Sequence, residues 1–65
     1  MNLTVNGEDQ TVSAKTLDVL IAELGFEPEF LATALNSDFV PVEERADCVL
    51  KEGDKIEILS PRQGG

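Results

Sequence analysis

The N-terminal residues alternate between apolar and polar, the pattern of a β-strand with one buried face. Leu3 and Val5 share one face of residues 2–6, and Asn6-Gly7 then supplies the positive φ angles of a tight hairpin turn. Strand-like sequence resumes from Gln10 to Ser13, after two acidic residues that leave the loop length open by a residue or two. The segment therefore predicts a β-hairpin.

The period of the pattern changes after Thr16. Apolar residues then recur at the spacing of one helix face: Leu17, Leu20, Ile21 and Leu24. Thr16 is a favoured residue type for a helix N-cap, and Gly25 stands where a left-handed C-cap residue belongs. We therefore expect a helix from Leu17 to Leu24.

The second half of the chain predicts further strands, separated by turn residues and by a polar stretch, 42–47, with room for a single helical turn. The strand-like stretches are Phe30–Leu35, the brief Phe39–Val40, and Lys55–Leu59, which alternates cleanly. The main element order is ββαββ with short connections. That order predicts an α+β fold, in which one helix covers one face of a sheet.

Length and composition limit the possible functions. A chain of 65 residues forms one domain, which we assign to residues 1–60, followed by a flexible tail at 61–65. Thirteen acidic and five basic residues give a net charge of -8, which disfavours nucleic acid and anionic membranes and suits either a basic protein partner or solubility alone. No apolar run has the length of a membrane span and no signal-peptide pattern is present, so we expect a cytoplasmic protein.

The side chains offer little catalytic chemistry. With no His and one Cys, a Cys/His zinc site and a His-based triad are excluded, which removes much of conventional enzyme chemistry, and we do not expect an enzyme. Cys48 is interpreted as a small core residue, because neighbouring Asp47 raises a thiol pKa; a persulfide carrier is the alternative. Other charged residues could form acid/base or metal pairs, but they lack a histidine and are interpreted as surface groups: Lys15, Glu27, Glu29, Glu43, Glu44 and Arg45.

The last dipeptide, Gly64-Gly65, is the most informative feature of the sequence. A tail without Cβ atoms passes through a narrow channel and brings the ionised α-carboxylate of Gly65 close to a nucleotide. The carboxylate then attacks the α-phosphate of ATP inside a partner enzyme to form an acyl adenylate. No acidic residue follows Glu57, and the tail carries one cation, Arg62. A cloning remnant is the competing explanation for the diglycine.

Leu59 precedes the tail on the face opposite Ile56 and Ile58. Two interpretations stand side by side: Leu59 anchors a partner protein, or it is an ordinary exposed leucine.

Several segments together resemble the ThiS family, the sulfur carriers of thiamin biosynthesis. They are Leu3–Glu8, Thr16–Leu17, Ala34–Asn36, Val40–Pro41, Leu50–Ile58 and Gly64–Gly65. Their order and the total length make the combination specific. The sequence departs from the family where Arg is usual at position 42, an aromatic residue at position 45 and Gly at position 63; Val42, Arg45 and Gln63 stand there.

The resemblance implies a ubiquitin-like β-grasp fold with a mixed sheet, whose last strand lies centrally beside the first. It also implies that an E1-like activating enzyme adenylates Gly65 with ATP and Mg²⁺. Sulfur from a cysteine desulfurase or a rhodanese-like protein then forms a thiocarboxylate, which thiazole synthase consumes. Gly64 is the flexible lead into these sites, and the carrier itself holds no resident cofactor.

Three other functions remain open on the sequence. Ser60-Pro61 is reminiscent of the small subunit of molybdopterin synthase, although the tight Asn6-Gly7 hairpin favours the thiamin carrier. A regulatory or ligand-binding β-grasp module would leave the terminal carboxylate unused. A ubiquitin-like protein modifier would transfer the acyl group to a lysine instead of to sulfur.

Overall fold

The computed structural model describes residues 1–60, so the predicted tail at 61–65 lies outside the described residues. Five strands and one α-helix form the fold: β1 (Asn2–Val5), β2 (Glu8–Thr11), α1 (Leu17–Glu23), β3 (Ala32–Leu35), β4 (Asp38–Val40) and β5 (Lys55–Leu59). Two 3-10 helices, Pro28–Phe30 and Val42–Asp47, complete the chain as described. None of the helices within residues 1–60 is long and apolar enough to cross a membrane.

The five strands form one mixed sheet in the order β2-β1-β5-β3-β4. The last strand, β5, lies in the centre, parallel to β1 and antiparallel to β3. The α+β prediction with a β-grasp sheet is confirmed. The brief strand expected at Phe39–Val40 is β4, which lies at the edge of the sheet. Because β5 is the central strand, Ser60, the last described residue, follows directly from the middle of the sheet.

Helix α1 covers one face of this sheet. The helix has only seven residues, too few to be stable alone in water, so it depends on the apolar face that it buries. Apolar residues repeat every 3.6 positions in the helix and every 2 in the strands, and both sets of side chains pack into one core. The largest fully buried apolar side chains of this core are those of Leu3, Leu17, Leu20, Ile21 and Ile56.

Several predicted boundaries are wrong by a few residues. Strand β2 begins at Glu8, not Gln10, because Asn6 and Gly7 complete the turn alone with φ angles of 51° and 84°. The third strand begins at Ala32, not Phe30, because Pro28 suits the first turn of a 3-10 helix. Helix α1 ends at Glu23, and Gly25 has the positive φ expected near its C-terminus.

The prediction of Thr16 as the helix N-cap is confirmed only in position. Thr16 occupies the N-cap with extended backbone angles, but its side chain forms no capping hydrogen bond. Its hydroxyl instead donates to the carboxylate of Asp18, which also accepts the N–H of Val19. Asp18 therefore accepts the hydrogen bonds of both the Thr16 hydroxyl and the Val19 N–H at this end of the helix.

The interpretation of Arg45 as a surface charge is wrong. Its side chain is 3% exposed and donates to Thr33 Oγ1 at 3.2 Å, to the carbonyl oxygen of Pro28 at 3.1 Å and to that of Leu31 at 2.8 Å. The fork of guanidinium N–H groups allows one side chain to reach three separate acceptors. Arg45 thereby ties the second 3-10 helix to the first one and to the start of β3.

Candidate functional site

The sheet face opposite α1 carries an exposed apolar surface near the end of β5. Phe39 is 69% exposed and Leu59 is 68% exposed. Between them, Ala32 pairs with Leu59 and Ala34 pairs with Phe39 in the strand register. Side chains directly opposite one another on adjacent strands share one face, so these four residues form one patch. We call Ala32, Ala34, Phe39 and Leu59 the open-face patch.

The open-face patch forms a shallow depression, which Thr33 and Glu57 complete. Leu59 is thus exposed on the predicted face, and it lines the same depression as a second large apolar side chain, Phe39. An isolated exposed leucine is ordinary, whereas a cluster of exposed apolar groups on one face is typical of a binding surface.

Phe39 is the member of the patch that sequence reasoning missed. The signal was present, because strand alternation places Phe39 on the opposite side from its neighbour Val40, which is buried. The strand has only three residues, and so short an alternation does not by itself predict which residues face outward.

Two asparagine side chains hold β5 at its two ends. Near the end that leads to the tail, Asn6 Oδ1 accepts the N–H of Ile58 at 2.8 Å and Asn6 Nδ2 donates to the Ile58 carbonyl oxygen at 3.1 Å. At the start of the strand, Asn36 Oδ1 accepts the N–H of Lys55 at 3.0 Å. Both asparagines have positive φ angles, 51° and 50°, as turn residues do. The sequence did not predict the contacts of their side chains with β5.

Cys48 is half-buried and packs against the core, as the core interpretation expects. Burial raises the pKa of its thiol above the ordinary value of 9.0, with further increases from the negative charges of Asp54 and Glu44. The predicted direction of the pKa shift is therefore confirmed, but its causes do not include Asp47. A thiol with a raised pKa is a poor nucleophile at neutral pH.

The other charged candidates lie on the surface as predicted: Lys15, Glu27, Glu29, Glu43 and Glu44. Within residues 1–60, no three Cys, Asp or Glu side chains are grouped so that they could hold a metal ion. Arg62, Gly64 and Gly65 lie outside the described residues, and their roles stay predictions.

The sequence and the fold both match known proteins. Residues 3–65 match the model of the ThiS family. The sulfur carrier protein ThiS of Thermus thermophilus is 34% identical over 61 residues, which cover 94% of this chain and 95% of that protein. A thiazole synthase of Paramagnetospirillum magneticum is 36% identical over 66 residues, and this chain spans only 20% of its length.

Solved structures agree with the sequence comparison. The crystal structure of the thiamine biosynthesis protein ThiS from Geobacter metallireducens superposes with a TM-score of 0.84 at 32% identity, covering all of both chains. The solution structure of a thiamine biosynthesis protein from the same organism gives a TM-score of 0.77, covering 91% of this chain and 81% of that one. The chain therefore belongs to the ThiS family, and the prediction of a sulfur carrier of thiamin biosynthesis is confirmed.

Proposed function

We propose that this chain carries sulfur as a thiocarboxylate on Gly65. The observation that supports this most directly is the family match, which extends through Gly64-Gly65 to residue 65. The described domain supplies no His, and its one thiol has a raised pKa. Partner enzymes therefore supply the catalysis, and this chain supplies the reacting carboxylate.

The reaction divides into two steps. A carboxylate oxygen of Gly65 attacks the α-phosphorus of Mg-ATP in the E1-like activating enzyme, which gives an acyl adenylate and pyrophosphate. A sulfur nucleophile from a cysteine desulfurase or a rhodanese-like protein then displaces AMP. Where the sulfur arrives as a persulfide, a thiol must reduce the resulting acyl disulfide to release the thiocarboxylate. ATP and Mg²⁺ belong to the activating enzyme in this scheme.

The open-face patch is the surface that we propose for docking to the activating enzyme. Leu59 is its member closest to the tail along the chain, and the six residues that follow reach about 20 Å when extended. That length lets Gly65 enter a deep site while the domain stays outside, with Arg62 available to the phosphates. Two acidic residues border the patch and suit a basic rim on the partner: Asp38 precedes Phe39 in sequence, and Glu57 lines the depression opposite Ala34.

Thiazole synthase is the proposed acceptor of the sulfur. A segment similar to this whole chain is part of the Paramagnetospirillum magneticum protein of that name, which supports a close association between the two activities. The proposal places the carrier in the cytoplasm, where ATP and the sulfur donors are available to it.

The thiocarboxylate is tested by intact-mass spectrometry after incubation with the activating enzyme, Mg-ATP and a sulfur donor. We expect the mass of the carrier to increase by the exchange of one oxygen for sulfur. A variant without Gly65 should keep its circular dichroism spectrum and lose both the mass increase and pyrophosphate exchange. Conversion of the deletion variant at the wild-type rate would refute the terminal chemistry, and a product linked to lysine would identify a protein modifier.

Docking is tested by replacing each large apolar side chain of the patch. Leu59→Ser and Phe39→Ser should each raise the KM of the activating enzyme for the carrier by about tenfold or more, because each removes an apolar contact of roughly 1.5 kcal/mol or more. Val42→Ser is the matched control, since Val42 is 62% exposed but lies in the 3-10 helix that contacts α1. An equal effect of all three substitutions would refute docking at the patch.

A further inference from the structure

The pairing between β1 and β5 ends before β5 does. β1 stops at Val5, which pairs with Ile56, and the N–H of Asn6 still donates to the Ile56 carbonyl oxygen at 2.9 Å. The main chain then turns away at Gly7 toward β2. The side chain of Asn6 forms the next two contacts, and it bonds both the N–H and the carbonyl group of Ile58.

The Asn6 amide therefore continues the ladder with side-chain atoms. A primary amide offers one acceptor and donor N–H groups, which matches the C=O and N–H that a neighbouring strand would present. Asp keeps an acceptor but has no donor when it is ionised, and Gln places the amide one carbon farther out. Asn also tolerates the positive φ of 51° that this turn position requires.

We propose that Asn6 is a positioning residue for sulfur transfer, which fixes the end of β5 and with it the position of Leu59 and Ser60, the residues that precede the tail. This inference rests on the proposed function. Ile58 immediately precedes Leu59, so the two hydrogen bonds from the Asn6 side chain lie one residue from the open-face patch. On the other side of β5, Ala32 of β3 pairs with Leu59. The last residues of β5 are therefore held by Asn6 on one side and by β3 on the other.

The position of the end of β5 matters for the reaction because the partner recognises the domain, while the chemistry occurs at Gly65. If the end of β5 moves, Leu59 shifts relative to the other residues of the patch and the starting point of the tail shifts with it. The patch and the carboxylate then reach their two sites together less often. Poor positioning of a reacting group lowers the rate without removing any group that touches the substrate.

The chain provides a matched control in Asn36. This residue also has a positive φ and also bonds the backbone of β5 through its side chain, but at Lys55, the first residue of the strand. Asn6→Gly removes the two side-chain bonds to Ile58, and Asn36→Gly removes the bond to Lys55 together with one to Asp54 Oδ1. Both variants keep a residue that accepts positive φ. Any general effect of weakening β5 should appear in both variants.

The experiment compares wild type, Asn6→Gly and Asn36→Gly by amide hydrogen exchange and by adenylation kinetics, at a temperature where all three are folded. We expect Asn6→Gly to accelerate exchange of the Ile58 amide about tenfold or more beyond its change in global exchange and to lower kcat/KM for the carrier about tenfold. Asn36→Gly should leave kcat/KM within about twofold of wild type. Asn6→Asp, which retains the acceptor for the Ile58 N–H, should give an intermediate rate.

Two results would overturn the inference: unchanged Ile58 exchange in Asn6→Gly, or equal losses of kcat/KM in the two glycine variants. Failure of the proposed function is a different outcome, because wild-type carrier would then not be adenylated at all. In that case the positioning role for sulfur transfer is also refuted, while the exchange measurement still reports whether Asn6 holds the end of β5.

Discussion

Replacing Arg45 with Met removes a buried guanidinium but keeps an unbranched apolar side chain about as long as the arginine stem from Cβ to Nε. The substitution leaves the carbonyl oxygens of Pro28 and Leu31 without the donors that Arg45 provides. The hydrogen bonds to these two oxygens are partly buried, and the third, to Thr33 Oγ1, is buried. A buried group left without its partner costs about 1–3 kcal/mol, and relief from burying a cation offsets part of this loss. We therefore expect the free energy of unfolding to fall by about 2–4 kcal/mol.

That loss is large for this fold. A chain of 65 residues has a total unfolding free energy on the order of 3–10 kcal/mol. The assay is urea unfolding followed by far-ultraviolet circular dichroism, because the chain has no Trp or Tyr for intrinsic fluorescence. Arg45→Met should shift the midpoint to lower urea with an unchanged slope.

Lys15→Met is the matched control for Arg45→Met, because it makes the same change in net charge at an exposed residue. It should change the unfolding free energy by less than about 0.5 kcal/mol. The reasoning is refuted if Arg45→Met also stays within about 0.5 kcal/mol of wild type, or if Lys15→Met is equally destabilising.

Three further predictions concern the core, a loop contact and the thiol. Leu20→Ala, at a fully buried position, should cost about 2–5 kcal/mol in urea unfolding. Glu23→Ala should cost about 1–2 kcal/mol by the same measurement, with Glu23→Gln less harmful, because the carboxylate accepts the N–H groups of Ser13 and Ala14. Alkylation of Cys48 by iodoacetamide should have its pH midpoint above 9.0 in the folded protein and near the ordinary thiol value in urea. Since a raised pKa favours the neutral thiol, stability should fall as pH rises through the folded-state pKa, and Cys48→Ala should reduce that loss.

The features that sequence predicted correctly are those set by local periodicity. Alternation along Lys55–Leu59 placed Ile56 and Ile58 in the core and Leu59 on the opposite face, as the structure has them. Helical spacing likewise identified the buried face of α1. The central position of β5 came from the family resemblance, because strand order depends on contacts between distant parts of the chain.

The features that sequence missed depend on partners distant in the chain. Arg45 is buried because a segment 14 to 17 residues away provides carbonyl acceptors, and a charged residue without known acceptors is normally expected in solvent. Asn6 bonds Ile58, 52 residues later. The turn alone accounts for an Asn at position 6, so no separate signal in the sequence indicates that its side chain bonds β5.

The buried network of Arg45 also affects how a loss of docking should be interpreted. Thr33 Oγ1 accepts from Arg45 and donates to the carbonyl oxygen of Val40 at 2.9 Å, so the network reaches the edge strand that presents Phe39. At 3% exposure, Arg45 offers almost no surface to a partner protein. A rise in KM for folded Arg45→Met would therefore reflect a displaced β4 and not a lost contact, whereas Phe39→Ser should raise KM with little loss of stability.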